Sequence, residues 1–319
     1  MSGPAVELKQ RRVPEVDMST TNNHTVQQEA KGRTVTCKEI SEWQWDNKFI
    51  LSGYRPEKGD YWDIFVSLTF VHNETCNIYT HLIGALVLPV IATATMRYLG
   101  EPQFLNVIAM DYNMFGFFFW CAEICLILST LFHLMQSHSH RVEQFWHGMD
   151  MLGIIICIVG TFCSGINYIF YCEEPLQYLH WGINLTFGTT CGVLISNPEL
   201  KTPRWRRVKV GAFFAFGASS FIPLLHGAQR YGLEYMLKYA GMKGYLGEIA
   251  FYGSGVMLYA FRIPERFAPG KFDLLCSSHQ LFHVAILGGM CSHLAGLLQG
   301  FTASHTLDVC EMKGIDRAN

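Results

Sequence analysis

The stretch at residues 277–300, SSHQLFHVAILGGMCSHLAGLLQG, decides the architecture. It runs for 24 residues without an Asp, Glu, Lys or Arg, and a hydrocarbon core about 30 Å thick asks about 20 such residues of one helix. Its first seven residues nevertheless hold two histidines, His279 and His283. At i and i+4 both rings lie on one helix face, within reach of one metal ion. A membrane helix that opens on a pair of metal-ligand side chains is the feature from which the remaining sequence is read.

Composition agrees with a membrane setting. Of the 319 residues, 50% are hydrophobic and 16% charged, and the formal net charge is −2. Nineteen of the 50 charged residues precede residue 64, so the rest of the chain is charge-free over long runs. With no basic excess or stripe, nucleic acid is not an expected partner. Residues 1–40, rich in Thr, Gln, Asn, Lys and Glu without periodicity, read as a disordered cytoplasmic tail. Residues 41–77 read as a juxtamembrane segment in which YWDIFVSLTFVH (61–72) suits a short interfacial helix.

Seven candidate spans follow, making an all-α membrane protein: 78–96, 112–136, 149–171, 177–197, 210–227, 244–261 and 277–300. The linker 229–243 has room for a further short helix, and 301–319 is left as a short extracytoplasmic tail. The loops after the second, fourth and sixth spans carry nine Lys and Arg, against four in the other set. The positive-inside rule then places the N-terminus in the cytoplasm and the C-terminus outside, the reverse of a G-protein-coupled receptor. In that orientation the sequon at Asn73 faces the wrong side for glycosylation, and the one at Asn184 lies in lipid. The first 35 residues hold no apolar signal-peptide core, so the first span is expected to direct insertion. Six of the eleven cysteines, Cys121, Cys125, Cys157, Cys163, Cys191 and Cys291, lie in apolar runs without a C-x-x-C pair. The cysteines therefore read as small buried hydrophobes, not as a disulfide scaffold. The end GIDRAN carries no retention signal, which leaves plasma membrane and endomembrane both open.

Ionisable groups inside spans are costly, so each carries a functional expectation beside a packing one. The second span ends LSTLFH, with Ser129 and His133 on one face at its cytoplasmic end, the side on which the seventh span begins. His133, His279 and His283 can thus meet at one depth. Three histidines with a free fourth position form a catalytic type of zinc site, which lowers the pKa of a bound water to about 7. Asp150 opens the third span at the same depth, where it has a role as general base or water-orienting group. The plainer reading, helix-packing hydrogen bonds, stands beside this one. Gln280 occupies the place of the zincin glutamate, so the motif is not H-E-x-x-H. His138, His140 and His147 are alternative loop-side ligands, though a histidine at the membrane interface is more often merely solvated, and His293 lies about 15 Å deeper than His283 by helix rise. Glu123 reads as a packing residue or the polar wall of a cavity, and Glu248 as interfacial. Glu74, Asn77, Thr80 and His81, clustered in HNETCNIYTHLIG, read as braces between helices.

These motifs together resemble the progestin and adipoQ receptor family, which includes the adiponectin receptors, the yeast Izh zinc-homeostasis proteins and the bacterial hemolysin-III-like proteins. The resemblance rests on DNKFILSGYRP (46–56), NETCNIYTHLIG (73–84), Ser129 with His133, Asp150, RIPERFAPGKFD (262–273) and SSHQLFH (277–283), and spans roughly residues 43–300. It implies seven helices with a cytoplasmic N-terminus and zinc on His133, His279 and His283. Asp150 would stand near the zinc-held water, with Ser129 in the same pattern. It also implies a lipid amidase activity, ceramide to sphingoid base and fatty acid, in a cavity reached from the membrane. Glu123 departs from the apolar character expected of relatives at that position.

Three functions follow as expectations. In a hydrolase, zinc polarises the amide carbonyl, Asp150 handles the proton and Ser129 orients water or substrate. In a receptor without turnover, zinc ties two helices structurally and an extracytoplasmic ligand acts on the outer face. Zinc or lipid homeostasis ranks third, because the ligands cluster at one end where transport asks for polar sites across the bilayer. The expectation carried forward is a receptor-like membrane protein with a hydrolase-type zinc site.

Overall fold

The computed structural model describes residues 33–197 and 203–315, so residues 1–32 of the tail expected over 1–40 and much of the basic loop near 201 lie outside the described residues, while Val35 within that expected tail pairs with Tyr54. The described residues are helical apart from loops and a single bridge pairing Val35 with Tyr54. A short helix α1 (Tyr61–Val66) is capped by the Asp60 carboxylate, which accepts from Trp62 N at 2.8 Å. It falls within the segment 61–72 singled out in the sequence. Then come α2 (Thr75–Leu99), α3 (Ala109–Met135), α4 (His140–Ile169), α5 (Glu174–Ser196), α6 (Pro203–Ala218), α7 (Phe221–Tyr231), α8 (Leu233–Lys238), α9 (Met242–Phe261), α10 (Ser278–Thr306) and α11 (Val309–Met312).

Five stretches are long and apolar enough to cross a membrane: α2, α3, α4, the run Val208–Tyr231 through α6 and α7, and α10. With 23 and 20 residues, α5 and α9 are of comparable length, diluted by polar, glycine and tyrosine residues. The chain is a multi-pass integral membrane protein. The expected fifth span, 210–227, lies within the run Val208–Tyr231, which is interrupted by a turn at Ser219 and Ser220 before α7 begins. α4 starts nine residues before the expected 149, since the charges of its first turns lie beyond the apolar run. α10 likewise continues past 300 to Thr306, and α8 fills part of the 229–243 linker.

Packing is most extensive between α3 and α4 and between α9 and α10. Glycine sets the second pair's separation: a Cβ on Gly244 would stand 2.4 Å from the backbone nitrogen of Gly296. Small residues that let backbones approach are the usual device for helix association where lipid removes the hydrophobic driving force. The main core runs through Phe115, Phe118, Leu126, Tyr168, Leu297 and Phe301.

Two sequence expectations are corrected. Glu248 is not interfacial but buried, 2.6 Å from His293 Nδ1, whose Nε2 lies 3.1 Å from Ser164 Oγ. The sequence could not show this, because the partner is 45 residues away on another helix. Cysteine pairing was also not expected, yet Cys172 and Cys310 form a disulfide that ties the α4–α5 turn to α11. Neither lies in the apolar runs that governed the sequence reading. Beyond the disulfide, Lys313 Nζ donates to the carbonyls of Ile169 at 3.1 Å and Tyr171 at 2.7 Å, and lies over the rings of Tyr231 and Tyr235. The C-terminal segment is thereby fastened to the end of the bundle opposite His279 and His283.

Candidate metal centre

The site forms where α3 ends and α2 and α10 begin, beside Asp150 inside α4. α10 starts at Ser278 because Ser277 and Gln280 close a capping box, Ser277 N donating to Gln280 Oε1 at 3.3 Å. The Gln280 amide also donates to the carbonyls of Asn73 at 3.2 Å and Leu274 at 3.0 Å. The residue standing where a zincin has its glutamate thus shapes the helix start that presents His279 and His283.

His133, on the last turn of α3, meets both. One ligand atom from each of the three side chains lies within 4.8 Å of the other two. Ring centroids are 4.9, 4.7 and 5.0 Å apart, at interplanar angles of 77°, 70° and 68°. Rings arranged edge to face bring nitrogen-bearing edges toward a shared centre, unlike a stack. His133 Nδ1 donates to Glu74 Oε2 at 2.7 Å, which leaves the lone pair on Nε2. That Nε2 is buried and has no hydrogen-bond partner. A buried polar atom without a partner is costly, and a cation between the three rings would satisfy it. Three neutral imidazoles are also the donor set that zinc accepts.

Ser129 and Asp150 stand beside the cluster. Ser129 Oγ is 2.8 Å from His81 Nδ1, and the same hydroxyl reaches the buried Asp150 carboxylate. His81 in turn stacks on His283, centroid to centroid 3.9 Å at 17°. All five residues picked from the sequence therefore converge. His138, His140 and His147 do not, packing instead against Tyr61, Trp43 and Phe132. Glu123 and His293 are also outside the cluster.

Four neighbours were underestimated or missed. Glu74 and His81, read as braces, contact site residues directly, and Thr80 Oγ1 lies 3.4 Å from His283 Nδ1. Burial pushes the Glu74 carboxyl up, but its hydrogen bonds with the His133 ring and the Asn77 amide hold Glu74 below the ordinary carboxylate range. Arg55 had no expected role. Its guanidinium is buried and donates to the carbonyls of His133 at 2.6 Å and Leu134 at 2.9 Å, capping α3. Burial lowers its pKa to about 10, so it stays cationic at neutral pH. Only its place in DNKFILSGYRP signalled it in the sequence.

The remaining quoted motifs have mechanical work. Asn47 Nδ2 donates to Glu265 Oε1 at 3.0 Å, and Glu265 Oε2 accepts from Ser278 N at 2.8 Å. Asp273 accepts from Leu51 N at 3.0 Å and from Ser52 Oγ at 2.6 Å. The juxtamembrane segment and the α9–α10 loop are thus tied to each other and to the helix end that carries His279.

Comparison with known proteins shows the family. Residues 69–294 match the haemolysin-III-related family, a span that contains every residue of the histidine cluster. The chain belongs to that family. It is 35% identical over 276 residues to the ADIPOR-like receptor IZH2 of Saccharomyces cerevisiae, covering 86% of each chain. It is 30% identical to the adiponectin receptor protein of Drosophila melanogaster, over 84% of this chain and 60% of that one. A heptahelical transmembrane protein ADIPOR1 of Oryza sativa is 28% identical over 83% of this chain and 84% of its own.

Proposed function

We propose that this haemolysin-III-related protein is an adiponectin-receptor-like membrane receptor that binds zinc at His133, His279 and His283 and hydrolyses a lipid amide of the ceramide class. The observation that carries the reading is the buried, partnerless Nε2 of His133 facing two further imidazoles, with Asp150 and Ser129 alongside. Zinc, when bound, supplies Lewis-acid polarisation of the amide carbonyl and favours deprotonation of water. Asp150 accepts the proton of the attacking water and passes it to the leaving amine nitrogen, so that amide and water become acid and amine. The hydroxyl of Ser129 donates to Asp150, and His81 behind it keeps that hydroxyl in one orientation.

The proposed setting is seven spans with the N-terminus cytoplasmic, α1 at the interface, a tail over 1–40, a juxtamembrane segment over 41–77, the bundle over 78–300 and the C-terminal segment outside. Two observations support this orientation. The loops on the histidine side carry the excess of Lys and Arg. The Cys172–Cys310 disulfide lies at the opposite end, and disulfides persist in oxidising compartments.

A second reading, a receptor whose zinc is structural and whose ligand binds outside, draws on the continuity of α10. This single helix of 29 residues carries the histidine pair at one end and reaches the disulfide-fastened segment at the other. Turnover separates the two. Purified protein incubated with ceramide and followed by mass spectrometry should release fatty acid, and Asp150→Ala should lose release at least a hundredfold while retaining zinc. Zinc without turnover above a protein-free control would favour the structural role.

A further inference from the structure

We propose that Glu74 is a positioning residue for the metal centre, fixing the tautomer and raising the basicity of His133. The inference rests on the reading of the three histidines as a zinc site. Its basis is a carboxylate–histidine arrangement that is complete on the protein side. Glu74 Oε2 accepts from His133 Nδ1 at 2.7 Å and from Asn77 Nδ2 at 2.6 Å, so one oxygen is pinned by the ring and by a buried amide one helical turn along α2. The opposite nitrogen of the same ring is the partnerless Nε2.

The direction of the hydrogen bond matters chemically. An ionised carboxylate only accepts, so Nδ1 carries the hydrogen and Nε2 is held as the donor atom toward His279 and His283. Ligating histidines usually give their second nitrogen to such a partner, and losing it costs ten- to a hundredfold in metal affinity. The other two histidines lack an equivalent. Neither has a carboxylate partner among the described residues: His283 Nδ1 lies 3.4 Å from Thr80 Oγ1 and its ring bonds to the Asn77 backbone, and His279 packs on the ring of Tyr259. His133 is further immobilised through its own backbone, whose carbonyl receives Arg55. Ring and main chain are thus held from separate segments, Glu74 at the head of α2 and Arg55 before α1. A packing role alone would need neither the defined tautomer nor the partnerless nitrogen.

The test uses the full chain in detergent, with zinc affinity measured by chelator competition and unfolding of the metal-stripped protein measured in parallel. Glu74→Gln keeps the shape and removes the charge. The expected result is zinc binding weakened ten- to a hundredfold, unfolding of the stripped protein near native, and a shifted visible spectrum when cobalt replaces zinc. Asn77→Ala, which leaves the carboxylate but frees it, should weaken zinc severalfold and serves as the second variant should Glu74→Gln not fold. Native zinc affinity in Glu74→Gln, or in Asn77→Ala where that variant stands in, would overturn the proposal. Failure of the unsubstituted protein to bind zinc would overturn the three-histidine reading instead, and is seen before any variant is made.

Discussion

At the scale of single residues, His133 shows how little of a site its donor atoms describe. The i, i+4 spacing of His279 and His283 was legible in the sequence because helix geometry alone makes them neighbours. His133, Ser129 and Asp150 were legible once loop charges gave the spans a direction. Glu74 and Arg55 were not, because they reach His133 across 59 and 78 residues of chain, and no local periodicity encodes such a contact. The same limit hid Glu248, whose pairing with His293 is equally non-local. Removing one partner of a buried hydrogen bond leaves the other unsatisfied, at a cost of roughly 1–3 kcal/mol. Glu248→Ala is accordingly expected to lower thermal stability markedly and leave the zinc content near native, because the pair lies outside the histidine cluster. Thermal unfolding and elemental analysis of the same preparation would check both halves.

At the scale of elements, most apolar runs marked helices and their limits were less clear. Hydropathy follows the stretch that lipid can surround, while a helix continues as long as its backbone hydrogen bonds do, as α4 and α10 illustrate beyond their apolar portions. The capping box of Ser277 and Gln280 serves the site by setting where His279 falls. Packing of α9 on α10 offers an element-scale prediction. Gly244→Val would drive side-chain atoms into the backbone of Gly296. Overpacking of this kind costs about 1–3 kcal/mol or more, so the variant should show a lowered unfolding temperature and reduced yield in detergent. Gly217, with open space where a Cβ would sit, is the control: Gly217→Ala should behave as native.

Across the whole molecule, two differently built ends face each other along the bundle. One gathers imidazoles, carboxylates and a buried guanidinium under the juxtamembrane segment. The other is fastened by the Cys172–Cys310 disulfide, by Lys313, and by Arg230, whose Nε donates to both oxygens of Glu173 at 2.9 Å. The disulfide joins residues 138 apart in sequence, and loss of a native disulfide commonly costs 2–5 kcal/mol, in approximate terms. Cys310→Ser should therefore lower the unfolding temperature. In sealed membrane vesicles of known orientation, an impermeant maleimide applied after reduction should label Cys172 or Cys310 only where the extracytoplasmic face is accessible, which would check the proposed orientation. Labelling from the cytoplasmic face would reverse it.

The central claim is that the three histidines hold zinc. Its most direct measurement is zinc per chain, by elemental analysis of protein purified without chelators, for the unsubstituted chain and for His133→Ala and His283→Ala. The account predicts a ratio near one for the unsubstituted protein and near zero for both variants. A native protein without zinc, or variants that retain it in full, would contradict the account.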